Sequence, residues 1–322
     1  MPVELPLTNP KKKNPGLLIL ENFSLVTRPS FIDYLKGGLE LNMIVAIDFT
    51  GSNGTPSSPN SLHYMNHSSP NQYQNAIMAI SGILMNYDTD KRIPCFGFGA
   101  QMNFPQLKGL SHCFPLSGNY KLVEATGVNE LMGLYANALK SVSLSGPTYF
   151  GPILEETIKL AATCKQQGSR TYQTLLILTD GDIHDMDKTI DLIYQAAYLP
   201  LSIIIVGVGE AGFENMVRLD GDGGTLFTSK GQRVPRDIVQ FVPFRDVKFN
   251  PDMLAKELLA ELPGQIVQYM TQAGIQPGIP QQLNINELAP IKQYKNNEQI
   301  IMMEWFDINC FNVSKLFILF WA

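Results

Sequence analysis

One acid and two hydroxyls alternate where an apolar run ends in NMIVAIDFTGSNG, residues 42–54: Asp48, Thr50 and Ser52. That spacing lets them converge from a single tight loop, which Gly51 keeps compact and Asn53–Gly54 turns away. Two further oxygen carriers stand in comparable settings. Asp180 follows the apolar run of LLILTDGD, and Thr148 lies in LSGPTYFGPIL just before helical periodicity begins. Carboxylates and hydroxyls are hard donors, the kind that magnesium or manganese prefers, with calcium as the alternative. Each piece also has a plainer reading. Loop Ser, Thr and Asp make turns, Asp180 suits a helix cap or a turn with Gly181, and Thr148 suits the N-cap of a helix at 151. Their joint occurrence, in this order, favours one shared cation.

Positioning these groups requires strands whose carboxyl ends lie side by side. Apolar runs at 43–49, 93–99, 174–180 and 201–209 read as buried strands. Between them, residues 72–87, 128–142, 151–167 and 185–199 carry apolar side chains at helical spacing, and a helix over 251–274 is expected to break near Pro263. The pattern predicts an α/β fold: a doubly wound, mostly parallel sheet with helices on both faces. Ligands of such sheets sit at the carboxyl ends of the strands.

The two ends differ from the middle. Residues 1–30 contain a strand-like GLLILENFSLV, too short to fold alone. From Gln276 the chain becomes rich in Pro, Gly, Gln and Asn, and it finishes in the apolar IIMMEWFDINCFNVSKLFILFWA. LFILFWA is too short to span a bilayer. Packing on the domain, anchoring in an interface and an atypical splice or reading of the gene all stay open for it.

Composition narrows the partners. A chain of 322 residues that is 45% hydrophobic buries a full core. Its net charge of −5 argues against a nucleic-acid partner, which calls for a basic excess; the one basic run, Lys11 to Lys13, reads as a solvated loop. Cys95, Cys113, Cys164 and Cys310 are scattered, without metal-ligand spacing, and read as reduced intracellular thiols. No charged-then-apolar leader opens the sequence and no apolar run approaches the roughly 20 residues of a membrane span, so a soluble, cytoplasmic protein is expected. Sequons at Asn22, Asn66 and Asn312 then carry no information.

Enzymatic readings compete with this one. GVGEAG at 207–212 satisfies G-x-G-x-x-G, but no following strand ends in the acid that would hold a ribose, so a glycine-rich turn is expected. DGDIHD gathers Asp180, Asp182, His184 and Asp185, yet two-metal hydrolysis needs such groups from different strands, and these bunch at one helix start. His63 and His67 have the spacing of a zinc pair only on a helix, which SLHYMNHSSP disfavours.

Asp48, Thr50, Ser52, Thr148 and Asp180 match the metal-ion-dependent adhesion site of von Willebrand factor A domains, whose first motif is D-x-S/T-x-S. More narrowly, FIDYLKGG, AIDFTGSNG, SLHY, FPLSG, LLILTDGDI, SIIIVGVG and RDIVQFVPFR resemble the A domain of copines, from about Phe31 to Gln276. The resemblance implies a noncatalytic site in which those five side chains hold the cation directly or through water and a partner's acid completes its shell. It implies recruitment of intracellular target proteins, and in full-length copines two preceding C2 domains that bind phospholipid in response to calcium. Residues 1–30 are similar to the end of the second C2 domain, residues 31–276 to the A domain, and 277–322 depart from the family as a linker and tail. Membrane attachment is therefore expected only indirectly or through the missing C2 domains, with a cytoplasmic location peripheral to the plasma membrane. A fragment, an isoform and a truncated gene reading all fit. Some plant relatives append a zinc-binding RING; no run of closely spaced Cys and His is present here.

Overall fold

Side chains of Glu40–Asp48 alternate between two hydrophobic cores: Met43, Val45 and Ile47 enter one, Ile44 and Ala46 the other. A strand apolar on both faces belongs inside a sheet that is covered on both sides. The computed structural model describes residues 3–6, 17–20 and 28–279, apart from His67, Ser169, Asp182, Asp222, Gly223 and Phe249. In chain order the strands are β1 (Val3–Pro6), β2 (Leu17–Leu20), β3 (Glu40–Asp48), β4 (Arg92–Phe98), β5 (Ala100–Asn103), β6 (Lys108–Ser111), β7 (Phe114–Pro115), β8 (Glu124–Thr126), β9 (Val142–Leu144), β10 (Thr171–Thr179), β11 (Leu201–Gly207) and β12 (Val239–Pro243). The helices are α1 (Phe31–Lys36), α2 (Gln72–Leu84), α3 (Gly127–Ser141), α4 (Gly151–Gln166), α5 (Met186–Ala196), α6 (Glu214–Asp220), α7 (Phe244–Val247), α8 (Pro251–Leu258) and α9 (Leu262–Gln272).

The main sheet runs β12-β11-β10-β3-β4-β7, with β8 also pairing to β4. From β12 to β4 every pairing is parallel, while β7 and β8 meet β4 antiparallel. Residues from α2, α3, α8 and α9 fill one core, and residues from α4, α5 and α6 fill the other. The doubly wound α/β arrangement read from the sequence is therefore the observed one. Strand order reverses at β3: β4 lies on one flank and β10 on the other. The carboxyl ends of β3 and β10 thus form the switch point where such sheets bind ligands.

All four expected strands are present, each ending one or two residues early. The helix expected over 251–274 is two helices, α8 and α9. Pro263 falls in the first turn of α9, where no backbone donor is needed. β7, β8, β12 and the antiparallel ribbon β6-β5-β9 went unpredicted; each is only two to five residues long, too short for a period to stand out. Cys95, Cys113 and Cys164 are free thiols, as expected, and burial pushes Cys95 and Cys113 up to about 12. Within GLLILENFSLV, β2 pairs antiparallel with β1, Val3 opposite Leu20. The apolar tail, Cys310, Asn22, Asn312 and most of the linker after Gln276 lie outside the described residues. No described helix is long and apolar enough to cross a membrane.

Candidate metal centre

Register places the first acid. Leu178 of β10 stands opposite Ile47 of β3, so the next residues along, Thr179 and Asp48, meet at the sheet's carboxyl edge. The Thr179 hydroxyl donates to Asp48 Oδ2 at 2.7 Å. Asp48 Oδ1 accepts from the Thr50 N–H at 2.8 Å and from the Thr50 hydroxyl at 2.6 Å. Gly51–Asn53 then forms one 3₁₀ turn that aims Ser52 back at the same point. Its Oγ lies 3.0 Å from Thr50 Oγ1 and donates to Asp180 Oδ1 at 2.9 Å. Two glycines make this possible. Gly54 leaves the turn at φ +79°, and a Cβ on Gly99 would collide with the Thr50 side chain.

Four of the five expected residues, Asp48, Thr50, Ser52 and Asp180, therefore form one hydrogen-bonded chain. Thr148 is held beside it by backbone. Ser145 bridges to Thr50 and accepts from the Gly51 N–H at 2.5 Å, and the Thr148 carbonyl accepts from the His184 N–H at 2.9 Å. Thr148 is buried, but among the described residues no hydrogen bond joins its hydroxyl to the other four. Nor is it the N-cap of α4; Phe150 is.

Electrostatics set the site's chemistry. Asp48 is fully buried and Asp180 is 8% exposed, yet among the described residues no lysine, arginine or histidine forms an ion pair with either. Burial raises the Asp48 carboxyl above its ordinary 3.8, while hydrogen bonds from Thr50 and Thr179 pull it back. Burial first, and the neighbouring Asp48 charge second, push Asp180 up to about 7. Two desolvated carboxylates without a counter-charge, linked by hydroxyls, make an all-oxygen donor set that fits a hard divalent cation. Among the described residues no group of three or more His, Cys, Asp or Glu suited to a metal occurs.

Sequence reading passed over two contributors. Thr179 is an ordinary strand residue by type, and only the β3–β10 register shows that it touches Asp48. His63 was weighed as half of a zinc pair. It is fully buried instead, its Nε2 2.8 Å from the Asp48 carbonyl oxygen and its Nδ1 2.7 Å from the Tyr135 hydroxyl. His67 lies outside the described residues.

Beyond Asp180 in DGDIHD, Asp185 accepts from the N–H groups of Phe150 and Gly151 at 3.0 and 2.8 Å, capping α4 across from its own helix, and Asp182 lies outside the described residues. GVGEAG links β11 to the seven-residue α6, and the next strand, β12, ends at Pro243 where a dinucleotide site would have an acid.

Comparison with known proteins places the chain. Among solved structures, it aligns with the manganese-loaded TRAP protein of Plasmodium vivax at a TM-score of 0.39 and 10% identity, covering 66% of this chain and 71% of that one. Proximal thread matrix protein 1 from the mussel byssus, with a zinc-occupied MIDAS motif, aligns at a TM-score of 0.38 and 14% identity, over 70% of this chain and 48% of that one. At these TM-scores the fold assignment rests on strand order alone. By sequence, the chain is 46% identical over 262 residues to Protein BONZAI 1 of Arabidopsis thaliana, covering 81% of this chain and 45% of the relative, so it spans about half of that protein's length. The copine family profile matches residues 61–278. On that match, and on the identity to BONZAI 1, the chain belongs to the copine family.

Proposed function

We propose that this chain is a metal-dependent protein-binding module, which recruits an intracellular partner by letting the partner's acidic side chain complete the shell of a magnesium or manganese ion held at Asp48, Thr50, Ser52, Thr148 and Asp180. The observation that carries this reading is the pair of buried carboxylates at the carboxyl ends of β3 and β10, joined through Thr50 and Ser52 without a cationic partner among the described residues. A cation only partly neutralised by two carboxylates keeps affinity for a third, and hydroxyl ligands leave it that residual charge. In this reading the module acts without catalysis, in the cytoplasm, and reaches membranes through a partner or through the calcium-responsive C2 domains of full-length copines.

Immobilised chain is expected to capture a distinct set of cytosolic proteins in magnesium or manganese and to release it on chelation. An identical captured set with and without chelator would refute the proposal.

A further inference from the structure

We infer that His63 is a positioning residue for this centre: by donating from Nε2 to the Asp48 carbonyl oxygen, it fixes the Asp48–Phe49 peptide, which holds the Asp48 carboxylate at one end and leads into Thr50 at the other. The inference rests on the cation reading above and names a residue outside the oxygen set.

Direction along the contacts follows from donor chemistry. A backbone carbonyl only accepts, so the proton of the His63–Asp48 contact, 2.8 Å long, sits on Nε2. Nδ1 of the neutral ring is then an acceptor, and its partner at 2.7 Å is the Tyr135 hydroxyl, which must donate. Tyr135 in turn accepts from Asn71 Nδ2 at 3.2 Å. Asn71 is the N-cap of α2, locked in a reciprocal pair with Gln74. The relay therefore runs one way, from the start of α2 through Tyr135 and His63 to Asp48. With both ring nitrogens engaged, His63 is a support and not a ligand.

Packing prevents the ring from choosing another orientation. It is stacked on Tyr73 at 4.3 Å and 17°, and on Phe49 at 5.3 Å and 11°. Tyr73 forms a second arm: its hydroxyl donates to Asn53 Oδ1 at 2.7 Å, and Asn53 Nδ2 donates to the Thr50 carbonyl at 3.2 Å. The carbonyls of Asp48 and Thr50 are thus both held from behind by buried side chains. Rotating either peptide breaks a buried hydrogen bond, whose loss leaves a desolvated carbonyl unpaired. Outer partners of this kind orient the groups that touch a cation.

The test uses the whole chain, with Mn²⁺ alone as the probe. His63→Phe keeps the stack and loses both hydrogen bonds; its Mn²⁺ affinity is expected to fall about tenfold or more. His63→Gln, whose amide donates at a similar reach, is expected to recover most of that loss, and Ile266→Val in α9 to bind as the wild type does. Should His63→Phe fail to fold, Tyr135→Phe serves in its place, with a smaller loss in the same direction. Without any metal, long-range ¹H–¹⁵N NMR is expected to show the Nε2–H tautomer of His63. Wild-type Mn²⁺ affinity in the folded His63→Phe or Tyr135→Phe chain, or an Nδ1–H tautomer, would overturn the positioning role. Absence of Mn²⁺ binding to the wild-type chain would contradict the cation reading on which this role rests, whereas an Nδ1–H tautomer in a chain that binds Mn²⁺ would overturn the role of His63 alone.

Discussion

Asp48→Asn is expected to weaken Mn²⁺ or Mg²⁺ binding at least about 30-fold while leaving the domain folded. A unit charge about 4 Å from the ion contributes roughly 4 kcal/mol at an effective dielectric near 20. Even half of that, about 2 kcal/mol, corresponds to the 30-fold loss. The substitution is nearly isosteric. Asparagine Oδ1 still accepts from the Thr50 N–H, and its amide faces the Thr179 hydroxyl, which accepts as readily as it donates. Moreover, the wild-type carboxylate is buried without a counter-charge among the described residues. Taking an ion out of water costs on the order of several kcal/mol. The metal-free variant is therefore expected to melt at a temperature no lower than wild type at pH 8. Calorimetric titration checks the first expectation and thermal unfolding in chelator the second.

A second large effect is expected from pH. Burial and the Asp48 charge raise the Asp180 carboxyl from its ordinary 3.8 to about 7, so the folded chain keeps a proton there that the unfolded chain has already released. Between pH 3.8 and 7 the folded state binds more protons, and metal-free stability falls as pH rises through that window. The opposite sign applies to the metal. A cation must displace the Asp180 proton, which alone makes affinity rise about tenfold per pH unit up to about 7, and any proton on Asp48 adds to the rise in the same direction. His63, pushed down to about 3 by burial, stays neutral throughout. Melting temperatures at pH 5, 6, 7 and 8, with chelator and with saturating Mn²⁺, check both signs: the two series are expected to converge at acid pH and separate above neutrality. In Asp48→Asn the chelator series is expected to become shallower without vanishing, because the Asp48 charge is gone while burial, the larger cause of the Asp180 shift, remains.

Local signals predicted the frame of this site well. β3 and β10 were legible because a strand covered on both faces is apolar at consecutive positions, a pattern independent of its neighbours. The loop from Asp48 to Gly54 was legible because its turn chemistry is encoded in adjacent residues. Thr179 was not, since a threonine inside a strand is common for β-branched packing, and only the pairing of Leu178 with Ile47 shows what lies opposite. His63 was hidden for a different reason. Its neighbours Ser61, Asn66, Ser68 and Pro70 have loop composition, whereas its burial depends on Tyr73 and Tyr135, the latter 72 residues away. Thr148 lies in the segment before α4, as expected, but its setting depends on a backbone path between Ser145 and α4 that no local period encodes.

Anomalous diffraction at the manganese edge, from crystals of the chain grown with Mn²⁺, tests the central claim most directly. One peak bounded by Asp48, Thr50, Ser52, Thr148 and Asp180 is the predicted result. A map without a peak there, with Ser52 still donating to Asp180, would contradict it.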